Sequence, residues 1–208
     1  MALSAPIPTV APADLRTRLT GTLVVLEPLG AEHLEGLGAI AGDSEMFRWI
    51  GSDLSDRATR EAWMTAALHS ASREQEVPYA VRARRSGEVV GTTRFLGLQL
   101  EHLLVEIGWT WYAREAWGTG VNVETKLLLL GHAFETLGLR RVEFKTDSRN
   151  ARSRGALAAL GAQYEGTLRK HRVLADGGVR HSAYYSILDE EWAAVRIALR
   201  QRLDQTGA

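Results

Sequence analysis

The sequence predicts a mixed α/β (α+β) domain built on a mostly antiparallel central sheet of about seven strands, and two observations carry that expectation. First, the β-rich runs 79–84 and 88–95 flank Arg85, Ser86 and Gly87, a hairpin signature, and a third run over 103–112 follows almost at once. Three antiparallel strands in succession argue against a doubly wound parallel sheet. Second, residues 103–147 read as strand, glycine turn, helix and strand, for which a right-handed parallel crossover is the expected connection.

The elements follow in order. Residues 1–20 carry Pro6, Pro8 and Pro12 among small residues and offer little to bury, so a flexible arm is expected there, with a single domain over 21–208. Leu23 to Glu27 reads as a strand ended by Pro28, and Leu34, Leu37 and Ile40 mark one face of a short helix. Residues 42–56 have no clear period; Phe47 and Trp49 within them are candidates to line an acceptor pocket, and roofing the core is the competing role. A helix is expected over 58–72, with Trp63, Ala67 and Ser70 on one side. After the hairpin, the strand 103–112 and the helix 121–137, Gly138 is a natural stop. Val142, Phe144 and Thr146 then alternate with Glu143, Lys145 and Asp147 as a strand. Asn150 caps a helix containing Leu157 and Leu160, which Gly161 closes. Strands 163–172 and 179–188, joined through Asp176, Gly177 and Gly178, complete the sheet. A last helix is expected with Asp189 as its cap and Trp192, Val195, Leu199 and Leu203 on one side.

The stretch 116–134 holds the clearest chemical signal. Gly118 and Gly120 free the main chain to approach a ligand, and the helix behind them opens with amides that have no internal partner. Those amides and the positive end of the helix dipole suit a phosphate. Neither standard nucleotide motif fits. A dinucleotide fingerprint needs a third glycine where Val123 stands, and a P-loop needs Lys and Ser/Thr where Val121 and Asn122 follow Gly120.

Composition narrows the chemistry further. With 25 Lys+Arg against 25 Asp+Glu the chain has no net charge, so no broad attraction to nucleic acid or an anionic membrane is implied. The absence of cysteine removes disulfides, thiolate metal sites and a thioester enzyme intermediate. No apolar run reaches the roughly 20 residues a membrane helix needs, and a cytoplasmic location is expected.

The order of elements and four motifs resemble the GNAT superfamily of acyl-CoA N-acyltransferases. EVVGTTRF (88–95) looks like that family's third strand, VEIGWTWY (105–112) like its fourth and WGTGVNVE (117–124) like its pyrophosphate loop. RNARSRGALAALGAQYEG (149–166) is similar to the helix and strand of the branch that includes ribosomal-protein N-terminal acetyltransferases. One departure is Glu115, where the family loop often has Gln or Arg; Arg114 lies one place earlier.

The resemblance implies helices on both faces of the sheet and a sheet splayed between strands 103–112 and 141–147, with acetyl-CoA as acyl donor and no metal. Trp117, Gly118, Thr119, Gly120, Val121 and Asn122 would hold the diphosphate of coenzyme A, and main-chain groups near Trp111 would pair with the pantetheine. Asn150 would bond the pantetheine region, and Ser153 would stand beside the sulfur as donor. Glu106 matches the position of the general base in some members; a structural carboxylate is its alternative. Tyr112, Tyr164 and Tyr184 are alternative donors to the leaving thiolate. The expected reaction is direct transfer to a primary amine, a protein N-terminus or a small molecule, in a ternary complex. The resemblance also suggests a homodimer. The rival reading is an acyl-CoA-binding regulatory or structural module without transfer activity, against which the carboxylate of Glu106 argues.

Overall fold

The computed structural model describes residues 9–42, 44–174 and 177–206; Pro6 and Pro8 of the arm and Asp176 of the last turn lie outside the described residues, as does Asp43. Strands β1 (Leu19–Thr20), β2 (Val24–Pro28), β3 (Val77–Ala83), β4 (Val89–Gln99), β5 (Leu104–Tyr112), β6 (Arg141–Asp147), β7 (Gln163–Val173) and β8 (Val179–Leu188) form one sheet. Its order is β1-β2-β3-β4-β5-β6-β8-β7. Every neighbouring pair is antiparallel except β5 with β6. The seven expected strands are present, and the eighth is the two-residue edge strand Leu19–Thr20.

That edge strand lies in the segment expected to be a loose arm, and the expectation fails from residue 9 onward. Leu15 is fully buried in the main core, which gives the segment something to bury after all. The Tyr79 hydroxyl donates to the Leu15 carbonyl, and His132 Nε2 lies 2.9 Å from the Asp14 carbonyl. The lead-in is docked.

Helices α1 (Leu34–Ile40) and α2 (Arg57–Ser72) cover one face of the sheet; α3 (Val121–Gly131), α4 (Ala151–Leu160) and α5 (Asp189–Gln205) cover the other. The core is accordingly in two parts. The larger gathers Phe95, Val105, Ile107, Leu129, Phe144 and Leu199, and the smaller gathers Leu37, Phe47, Trp63, Ala80 and Trp111. Helix α3 continues as a π-helical turn, His132–Thr136, before Gly138 turns the chain at φ 66°. Asp56 caps α2 by accepting from Thr59 N at 2.7 Å. The cap position of α5 is Leu188 rather than Asp189, and Glu191 reaches back to the Leu188 amide at 2.8 Å.

Two irregularities position the functional region. In β5 the register against β4 slips by one residue between Gly108 and Trp111, and Trp109 sits at φ 50°, a left-handed conformation rare for a bulky residue. Val105 and Ile107 face the α3 side before the bulge. Beyond it Tyr112 faces that side, while Trp111 faces α2. The second irregularity is in the pairing of β5 with β6, which covers only Leu104↔Arg141, Val105↔Val142 and Glu106↔Glu143. Both strands run on past that point without pairing. The sheet is therefore open between them, and Gly108, Trp109 and Thr110 are half-buried in the middle of a central strand.

Candidate active site

The site starts at the glycine turn. Gly118 and Gly120 have φ of 78° and 88°, and a Cβ at Gly120 would come within 3.0 Å of Leu23 Cδ1 and Thr206 Oγ1. The turn thus needs glycine there both for conformation and for space. Gly120 is the cap position of α3 and supplies no side chain, so the amides of the helix's first turn remain open to a ligand. Thr119 Oγ1 donates to the Ala116 carbonyl at 2.8 Å, which holds the turn in shape.

Around this turn the side chains form a small aromatic and cationic wall. Trp117 is 40% exposed, its Nε1 donates to the Tyr112 carbonyl at 3.1 Å, and it lies between two guanidinium groups, Arg152 at 4.1 Å and Arg114 at 5.3 Å from the ring centre. A cavity of about 270 Å³ is lined by Trp117, Arg114, Arg152, Asn150, Trp49 and Glu45. Asn150 faces it while its Oδ1 accepts from Ser153 N at 3.0 Å, capping α4 as expected. Ser153 is half-buried one turn into the helix. Arg149 is turned toward Asp147, with Nε to Oδ1 at 3.0 Å and Nη2 to Oδ2 at 2.9 Å, and that hydrogen bond is the main cause holding the Asp147 carboxyl below its usual range.

Phe47 does not join this wall. It is 2% exposed and packs edge-on against Trp111, with ring centres 5.1 Å apart. Both rings belong to the smaller core, so Phe47 has no face to offer an acceptor, and the expectation for it is corrected. Trp49 does reach the surface, but beside Asn150 and Trp117 rather than over the sheet. The Trp111 side chain is likewise core; one edge of its main chain pairs with Thr92, and the other faces the opening.

Glu106 stands where pairing of β5 with β6 ends. It is 6% exposed, and its Oε2 accepts from Lys145 Nζ at 2.6 Å across the mouth of the opening. Burial raises its pKa above the usual glutamate value, and the Lys145 hydrogen bond and charge offset only part of that rise. The ion pair was not foreseen, because Lys145 alternates with Val142, Phe144 and Thr146 as an outward residue would. Among the alternative donors, Tyr112 is buried on the α3 side, Tyr164 is exposed on the outer strand, and Tyr184 pairs opposite Lys145.

On the other face of the opening lies Lys126, also unforeseen. Its Nζ is 3.1 Å from Thr110 Oγ1 and 5.7 Å from the centre of the Phe144 ring. Burial lowers its pKa to about 7. A third buried charge, Glu124, receives the amides of Thr22, Leu23 and Val24, each at 2.7 Å, and so ties the start of β2 to the helix behind the glycine turn.

A mixed sheet parted between two parallel strands, with a bare glycine-led helix start beside the gap, is the arrangement that the resemblance to acyl-CoA N-acyltransferases implies. The chain belongs to the GNAT acetyltransferase domain family, whose model matches residues 24–163. It is 31% identical over 115 residues to the uncharacterized N-acetyltransferase p20 of Bacillus licheniformis, an alignment covering 55% of this chain and 64% of that relative. A GCN5-related N-acetyltransferase from Brucella melitensis superposes with a TM-score of 0.86 at 29% identity, over 96% of this chain and 90% of the other. Mycobacterium smegmatis RimJ, solved in complex with CoA-disulfide, shares the fold with a TM-score of 0.75 at 23% identity, over 91% and 97% of the two chains. Among the described residues, no helix is long and apolar enough to cross a membrane.

Proposed function

We propose that the protein transfers an acetyl group from acetyl-CoA directly to a primary amine in a ternary complex. The observation that carries this reading is the opening between β5 and β6 next to the uncapped N-terminus of α3. A diphosphate at the amides of residues 118–122 would direct the pantetheine arm along the free edge of β5 at Trp111, as an added strand. The thioester would then lie beside Glu106. That a fold relative was solved with a CoA-disulfide, and that the family model is an acetyltransferase domain, both support coenzyme A as the ligand.

The chemistry follows from the reaction. The amine nitrogen must arrive neutral and attack the thioester carbonyl; a C–N bond forms, and the C–S bond breaks as the tetrahedral intermediate collapses. Glu106, directly or through a water, takes the proton the nitrogen sheds. Its raised pKa makes it a stronger base than an exposed carboxylate, and the Lys145 ammonium beside it favours its ionised form. Ser153 serves the departing thiolate as donor, and Asn150 orients the pantetheine while holding the helix that carries Ser153. A main-chain amide of the bulged part of β5 is the natural partner for the oxyanion.

The test is release of free thiol from acetyl-CoA in the presence of a panel of amines that includes N-terminal peptides. Turnover on at least one amine is expected, with a loss of about 100-fold or more in Glu106→Gln. Binding of acetyl-CoA without thiol release on any amine would favour an acyl-CoA-binding module instead, and full turnover in both Glu106→Gln and Ser153→Ala would overturn the assigned roles.

A further inference from the structure

Helices α1 and α2 cover only the first part of their face of the sheet. The smaller core under them draws its strand residues from β3, β4 and β5 and, among the described residues, takes none from β6, β7 or β8. Past Glu106 that face is therefore open. Ala183, Tyr185 and Ile187 of β8 belong to the larger core, so Arg180, Ser182 and Tyr184, which alternate with them, point to the open side. Tyr184 is in register with Lys145, and Arg180 with Arg172 of β7. His171 lies among them, its Nδ1 2.9 Å from Ser182 Oγ and its ring edge-on to that of Tyr184, with centres 5.8 Å apart. Burial and then the charges of Arg172, Lys145 and Arg180 lower the His171 pKa, so three cations converge on one ring.

We propose that this open face receives the acceptor as an extended polypeptide N-terminus whose third and fourth residues are acidic, their carboxylates held by Arg180 and Arg172. The assignment rests on the acetyl-transfer reading for the place of the amine beside Glu106, and on the two arginines for its chemistry. Lys145 and Arg149 each have a carboxylate, Glu106 and Asp147. Arg180 and Arg172 form no ion pair among the described residues, although like charges directly opposite one another in a ladder repel. Arg180 is half-buried. Its Nε is buried without a hydrogen-bond partner, whereas Nη1 and Nη2 keep accessible surface on the open side. Burial lowers its pKa, and the charges of Asp147 and Glu106 counter that only in part. Both of those carboxylates are already bonded to other cations, and a carboxylate brought by the acceptor would meet donors that are free to take it.

The span favours a chain over a small acid. Lys145 meets Glu106 and is in register with Tyr184, so Tyr184 marks the level of the reacting amine along β8. Arg180 lies four residues further along the strand, a main-chain distance of about 13 Å. The carboxylate of a free amino acid stands two bonds from its amine and would face Glu106 instead. The third and fourth residues of an extended chain lie about 7–10 Å from the first, and their side chains together with the arginines cover the remainder.

Matched hexapeptides test the proposal: serine and alanine followed by two glutamates, two glutamines or two lysines, each ending in alanine and glycine. They are compared as acceptors by thiol release from acetyl-CoA, and their N-acetylated forms by calorimetric titration of the full chain, which needs no turnover. The glutamate peptide is expected to be favoured over the glutamine peptide about 10-fold or more, in KM and in binding, with the lysine peptide weakest. Combining Arg180→Gln with Arg172→Gln should remove the preference. If that variant does not fold, Arg172→Glu, at an exposed position, should by itself cut the preference about 2- to 5-fold, and an unchanged preference there overturns the proposal. Equal binding of the glutamate and glutamine peptides, or a preference that survives loss of both arginines, overturns it as well, whatever the turnover. Free glutamate acetylated as efficiently as the glutamate peptide overturns the polypeptide as occupant. Acid-selective binding that depends on the arginines but accompanies no thiol release from any amine keeps the surface and overturns acetyl transfer.

Discussion

Two lysines flank the opening between β5 and β6, one on each face of the sheet, and they differ in partner and in depth, Lys145 keeping more exposure than Lys126. Lys145 reaches a carboxylate, Glu106, at 2.6 Å; Lys126 reaches a hydroxyl, that of Thr110, at 3.1 Å, and forms no ion pair among the described residues. Desolvation acts on both neighbourhoods, but only on the α3 face is it unopposed, and there it brings the amine's pKa to about 7. The α2 face thus presents an ion pair, and the α3 face an amine that is half neutral at physiological pH.

The largest expected effect comes from breaking the pair. Lys145→Met strands a buried carboxylate and should cost about 2–3 kcal/mol in urea unfolding at pH 7, somewhat less than a fully buried pair because Lys145 keeps some exposure. It should also push the Glu106 pKa further up, moving the acid limb of the pH–rate profile toward neutrality. An unchanged limb would mean that Glu106 is not the base being titrated.

Lys126→Met should do the opposite. The folded pKa of Lys126 is about 7 against an ordinary 10.5, so between those values the unfolded chain holds more protons than the folded one, and stability of the wild type rises with pH. The slope contributed is about 1.4 kcal/mol per pH unit where only the unfolded state is protonated, and full destabilisation is reached below pH 7. Replacing the lysine with methionine removes that slope and should leave the protein as stable or more so at pH 7. Denaturant unfolding at pH 7 and pH 9 reads both; a Lys126→Met protein that is less stable and keeps the slope would break the comparison between the two faces.

The smallest effect is expected for Thr110→Val, which takes away the hydroxyl that Lys126 uses. A cost of about 1 kcal/mol is expected, with the pH window for the stability rise extending slightly below 7 as the amine loses its remaining partner.

Much of this architecture could be read before the structure was seen, because the signals were local. A hairpin turn at Gly87, a glycine pair before a helical stripe, and an asparagine cap at residue 150 each act over a few residues, and each is where it was expected. What escaped was the meaning of charged residues whose partners lie far away in sequence. Glu124 answers amides about 100 positions earlier, Glu106 meets a lysine 39 residues on, and Arg94 finds Glu76 at the start of the neighbouring strand. Periodicity treats such residues as solvent-facing, so the buried polar lining of the site was missed. Phe47 and Trp49 show the same limit within one loop, since nothing in their spacing tells which ring turns inward. Only the inversion of facing partway along β5 left a trace, as a run of three aromatics, Trp109, Trp111 and Tyr112, that no simple alternation accommodates.

That inversion rests on one supernumerary residue at Trp109. Straightening the strand with that residue retained would carry the Trp111 ring across to the layer under α3, and the Tyr112 hydroxyl to the layer under α2, whereas excising it would join Gly108 to Thr110 and leave both rings in their present layers. The separation of the two interiors along β5 therefore depends on the left-handed main chain at Trp109, which keeps the extra residue out of the alternation, and a replacement there must respect it.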